Sequence, residues 1–153
     1  MPVLHLGVAD VPYSEPPSPV KRGHKPKVTA ATETTGDVAE RLEDKYHIMR
    51  VFYEQHKSDV ALALEDSLAG ALENLLIGAP SSVSPLGEGA SKIQAAFKKF
   101  LSEKEMDRLG YPGIPTKASL MGISHRFKGK HGPPRPSFID TGLYETSFKA
   151  WID

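Results

Sequence analysis

The chain has 153 residues, inside the usual single-domain range, and its 39% hydrophobic and 25% charged residues are those of an ordinary globular protein with one core. Nineteen basic and nineteen acidic residues cancel, which removes any whole-molecule attraction to nucleic acid or to an anionic membrane. There is no cysteine, so disulfides, thiolate catalysis and Cys-ligated zinc are excluded and the fold must rest on burial.

Residues 1–36 read as an extended N-terminal arm outside the core. Val3 to Val11 alternates loosely enough for an edge strand. Six prolines within the first 26 residues, with Lys21, Arg22, Lys25 and Lys27 among them, then give a composition that buries too little to order itself. The opening residues lack the charged-then-apolar layout of a signal peptide and no run approaches ~20 apolar residues, which predicts assembly in a cytoplasm without a membrane span.

A single α+β domain is expected over 37–153. Asp37 reads as the cap of a long amphipathic helix over about 37–77, with Val38, Leu42, Tyr46, Met49, Tyr53, His56, Val60, Leu64, Leu68, Leu72 and Leu75 forming its stripe. Gly78-Ala79-Pro80 supplies the stop. At 1.5 Å per residue the rod reaches roughly 60 Å, so it either breaks near Lys57-Ser58-Asp59 or packs partly on neighbouring subunits.

A second helical segment over about 88–109 places Ile93, Phe97, Phe100 and Leu101 on one face, and Ser102-Glu103-Lys104-Glu105 reads as a capping box for a short extra turn ending at Leu109-Gly110. A long basic loop follows over about 110–136, carrying Arg126, Lys128, Lys130 and Arg135. Its length suits an interface or binding loop. In the closing segment, 136–153, Asp140 can cap a short helix or Ser147 to Ile152 can form a strand; a helical turn leading into a short strand is the preferred reading. Tyr144, Phe148 and Trp151 are expected to close the core.

Charge is unevenly spread. Between Glu33 and Glu73 there are ten acidic and four basic residues, whereas Arg108 to Ile139 holds six Lys/Arg and no acid. Such polarity suits head-to-tail stacking of subunits.

Little in the chain points to catalysis, a cofactor or a metal. Asp140-Thr141-Gly142 matches the aspartic-protease triplet, but the bulky Leu143-Tyr144 follows it and the N-terminal half is helical rather than all-β. The six histidines show no ligand spacing, and Gly129-Lys130-His131-Gly132 lacks the rest of a P-loop. His56 is expected as a hydrogen-bonded core or interface residue, and His47 as exposed.

One segment carries a family signature. In Pro136-Ser137-Phe138-Ile139-Asp140-Thr141-Gly142-Leu143-Tyr144-Glu145-Thr146-Ser147 a Pro-led apolar pair precedes Asp-Thr-Gly, and Leu143 and Ser147 follow at helical spacing. Upstream stands the Thr/Lys-rich stretch Pro115-Thr116-Lys117-Ala118-Ser119-Leu120. Together they resemble the tail-completion, or virion-morphogenesis, proteins of tailed phages.

The resemblance implies a structural virion protein of the neck, not an enzyme and without a cofactor, assembled in the host cytoplasm. It would form a homo-oligomeric ring, hexamer or dodecamer, around the DNA channel and meet portal, neck or tail-tube proteins. Lys21, Arg22, Lys25 and Lys27 of the arm and Arg126, Lys128, Lys130 and Arg135 of the loop would be its candidates for facing partners or packaged DNA, and Asp140, Thr141, Gly142, Leu143 and Ser147 its motif. The alternative is a small nucleic-acid-binding module working through the basic arm and loop, which would bind with steep salt dependence as an isolated subunit.

Overall fold

Thr34 begins the helical part of the chain. Its extended backbone and its hydroxyl, which accepts the N–H of Asp37, cap helix α1 (Thr35–Tyr46), and the Asp37 carboxylate accepts the N–H of Thr34 in return. Asp37 is therefore the third residue of a capping box rather than the cap. The computed structural model describes residues 3–12, 33–80, 84–123, 132–140 and 142–153, an α+β arrangement of helices with a two-stranded antiparallel sheet. No helix among them is long and apolar enough to cross a membrane.

The expected long helix is two helices. It breaks at His47, in the left-handed region at φ 52°, and resumes as α2 (Ile48–Leu76). Glu43 accounts for the position of the break: its carboxylate accepts the N–H groups of Met49 at 2.8 Å and Arg50 at 3.2 Å, which begin the new helix. The break resets the rotation, so Ile48, Val51 and Phe52 are buried and Tyr53, on the expected stripe, is exposed. A kink inside α2 falls at His56, one residue before the expected site. His47 itself is exposed.

Helix α3 (Gly87–Ser102) packs on α2, and Ile93, Phe97, Phe100 and Leu101 are all buried, as the pattern predicts. At the crossing, Gly89 sits so close that an added Cβ would lie 2.7 Å from the Ala63 carbonyl oxygen. The Ser67 hydroxyl fixes the same spot, donating to Pro85 O at 2.9 Å and accepting from Gly89 N at 3.1 Å. The second helix does not run on to 109. It stops at Ser102, whose hydroxyl donates back to Lys99 O, and the one-turn α4 (Glu105–Arg108) starts behind a left-handed Lys104 with no side-chain cap, so the expected capping box does not form.

Residues 4–8 belong to the sheet and not to an arm outside the core. Strand β1 (Leu4–Val8) pairs antiparallel with β2 (Phe148–Ile152), in the register Leu4 with Ile152, Leu6 with Ala150 and Val8 with Phe148. Thr35, fully buried, anchors the strand's exit: its hydroxyl donates to Ala9 O at 2.7 Å and accepts from Val11 N at 2.8 Å. Beside it the Thr34 hydroxyl and the Gly36 N–H hold the Asp10 carboxyl below the usual carboxylate range. The proline-rich basic stretch with Lys21, Arg22, Lys25 and Lys27 lies outside the described residues.

An aromatic cluster forms the core. Phe97 and Phe148 stack with centroids 3.9 Å apart, and Phe52 meets Phe97 edge-on at 5.2 Å, so α2, α3 and β2 join at one point. Trp151 does not share in it. Strand side chains alternate, and with Phe148 and Ala150 facing the core Trp151 must face out, where it is 47% exposed and stacks on its cross-strand partner His5 at 5.3 Å.

Candidate interaction surfaces

The basic loop and the closing motif form one built unit. Within the loop lies the short helix α5 (Lys117–Leu120), capped by Thr116. The Ser119 hydroxyl donates to Thr116 O at 2.8 Å and meets Ser137 Oγ at 3.1 Å, while Ser137 Oγ accepts the Thr116 N–H and the Ser137 N–H donates to Asp107. Ser119 and Ser137 are both buried. Two further backbone bonds, Gly132 N to Gly122 O and Arg135 N to Ser119 O, join the flanks of 124–131. The loop is thus structured at its base, whereas Arg126, Lys128 and Lys130 fall outside the described residues.

The motif departs from its expected geometry at Asp140. That residue does not cap the following helix α6 (Leu143–Ser147), whose N-cap is Gly142 at φ 75°, a backbone state glycine reaches without steric cost. Asp140 Oδ1 instead lies 3.2 Å from Arg135 Nη1, and Arg135 Nη2 donates to Ile123 O at 2.7 Å. Both terminal nitrogens of Arg135 are thus engaged within its own chain. Leu143 is half-buried, and Ser147 is buried with its hydroxyl donating to Tyr144 O and its carbonyl accepting Ala9 N. Thr141 lies outside the described residues. A helical turn does lead into a strand here.

Beside this unit lies an open cleft of about 460 Å³. Val38, Leu42, Tyr46, Phe138 and Ile139 line its apolar part, and Glu33, Arg135 and Asp140 its charged edge. Tyr46 and Phe138 are in ring contact at 5.0 Å. Nothing in this lining forms a set of nucleophile, base and orienting group. His56 is hydrogen-bonded elsewhere: Nε2 lies 2.9 Å from Glu105 and Nδ1 3.2 Å from Asp59, with the ring against Phe52 and Phe100. Those contacts tie the kink of α2 to α4. Among the described residues no three His, Asp or Glu side chains gather as metal ligands.

The second surface is the C-terminal half of α2. The expected stripe builds core only as far as Leu64; Leu68, Leu72 and Leu75 are 47%, 53% and 65% exposed. Off that stripe Leu62, Leu76 and Ile77 are exposed too. Its signal stood in the sequence, because the segment is apolar on several sides, a pattern a single-stripe reading passes over.

No protein-family model matches the chain, and neither a curated protein nor a solved structure matches it.

Proposed function

We propose that this chain is a structural virion subunit of a tailed phage, a neck or tail-completion protein that forms a homo-oligomeric ring around the DNA channel and joins head to tail. It works without catalysis or cofactor, assembles in the host cytoplasm and meets portal, neck or tail-tube proteins, with incidental contact to packaged DNA. The phage assignment rests on the signature in Pro115–Leu120 and Pro136–Ser147. The hydrogen bonds among Thr116, Ser119 and Ser137 support treating those two stretches as one unit, although they are separate in sequence.

The observation that carries the reading is the uncovered apolar half of α2. A patch of this kind is unusual on a monomer and ordinary on an assembly subunit. The test is labelling of purified phage particles with antibody raised against this chain. Label at the head–tail junction is expected. Particles free of the chain, together with salt-steep DNA binding by the isolated subunit, would move the nucleic-acid-binding module to the front.

A further inference from the structure

We infer that the outer edge of strand β1 is a self-pairing site, at which β1 of two copies of this chain joins antiparallel across a twofold axis and turns two two-stranded sheets into one. The hydrogen-bond phase of the sheet carries the inference. Val3 and Asp153 exchange both their backbone bonds, at 2.8 and 3.2 Å, and Ala9 N donates to Ser147 O. In an antiparallel ladder the bonded pairs recur at every second residue. His5 and Gly7 therefore turn their backbone groups toward β2, while those of Leu4, Leu6 and Val8 turn away from it. Among the described residues no backbone or side-chain group bonds to them there.

Nothing in the strand guards this edge. Leu4–Val8 holds no Lys, Arg, Asp, Glu or proline, and its register with β2 runs without a bulge, whereas native edge strands are commonly blunted by such features. The opposite edge of the sheet is closed to a further strand, because Phe148 and Ala150, which would have to offer the bonds, are buried as whole residues. Leu4, Leu6 and Val8 are only half-buried.

The sequence of the strand selects a second copy as the occupant. Paired antiparallel about Leu6, Leu4 meets Val8 of the copy, Leu6 meets Leu6 and Val8 meets Leu4. Every free group of the edge then finds a partner, and the apolar core face continues across the join. On the outer face the same register sets Val3, 51% exposed, opposite Ala9, and His5 opposite Gly7, a larger side chain against a small one each time. Other registers lose these matches. Centring on His5 sets two imidazoles opposite each other and Val8 opposite Pro2, which has no N–H to donate; centring on Gly7 carries Leu4 beyond the end of the facing strand. Strand addition draws its affinity from main-chain bonds, and because the contact is short the pair forms reversibly as concentration rises.

The pairing rests on the sheet alone, so it holds or fails independently of the virion reading. The experiment is sedimentation velocity of the full chain from dilute to concentrated solution, with residue-resolved amide hydrogen exchange by NMR at both ends of the range. The expected result is a reversible doubling of mass. Protection of the Leu4, Leu6 and Val8 amides should appear only in the doubled species, while the His5 and Gly7 amides stay protected throughout. Leu6→Pro removes an edge N–H that β2 does not use, and is expected to abolish the doubling with the emission of Trp151, the single tryptophan, unchanged. If that variant fails to fold, the exchange pattern of the wild-type chain decides the matter.

A chain that stays monomeric over the whole range, a dimer whose Leu4, Leu6 and Val8 amides exchange as fast as in the monomer, or a folded Leu6→Pro variant that still doubles would each overturn the inference.

Discussion

Arg135 Nη1 stands 3.2 Å from Asp140 Oδ1, so the end of the basic loop is tied to the first residue of the Asp-Thr-Gly turn. Both side chains are partly exposed, at 25% and 37%, which places the pair among those worth about 1 kcal/mol or less. Asp140→Asn is expected to lower the melting temperature by no more than about 4 °C, with the difference shrinking in high salt. Thermal unfolding at two salt concentrations checks it. A loss several times larger would mean that Asp140 holds more than this pair.

Glycine to alanine should act with opposite sign at two helical positions. At Gly70 nothing lies within 4 Å of an added Cβ, so Gly70→Ala is expected to stabilise by about 0.5–1 kcal/mol through helix propensity. At Gly89 the same change drives a methyl into the Ala63 carbonyl, and overpacking of about 1–3 kcal/mol outweighs the propensity gain. Urea denaturation of the two variants distinguishes them. Stabilisation by both would refute the close α2–α3 crossing.

Phe97→Ala removes the ring on which Phe148 stacks and should cost about 3–5 kcal/mol, enough to approach unfolding for a small domain. Trp151→Ala, on the outer face of the sheet, is expected to cost only about 1 kcal/mol, the scale of a cross-strand pair. Chemical denaturation ranks the two. Comparable losses would place Trp151 in the core after all.

His47 holds a left-handed conformation that costs a residue with a Cβ roughly 1–2 kcal/mol. His47→Gly relieves this while loosening the unfolded chain, for an expected net gain of about 0.5–1 kcal/mol. The midpoint of urea unfolding reads it directly. A destabilised variant would argue for a continuous helix through 47.

The α3 face, the Gly78 stop and the helix-to-strand ending were legible in the sequence, because each rests on local spacing or on glycine chemistry. The break at His47 was not: no Gly or Pro marks it, and its cause is a carboxylate, Glu43, that caps the next helix. With the break at His47, Phe52 turns inward as the centre of the core; beyond Leu64 the stripe is exposed because α3 meets α2 no further than Ala63 and Ser67. Nothing local assigns Leu4–Val8 to the core sheet, because its partner strand lies at the far end of the chain, a pairing that composition does not reveal. Of the candidate site residues, Asp140 and Arg135 were both singled out, but the bond between them follows from the fold of the loop's base, which hangs on the buried serines 119 and 137.

Electron microscopy of lysates from a phage in which this reading frame carries an early stop codon reads the joining role itself. Filled heads lying beside free, unjoined tails are expected, restored to whole particles by the intact chain supplied in trans. Intact infectious particles from the stop-codon phage would contradict it.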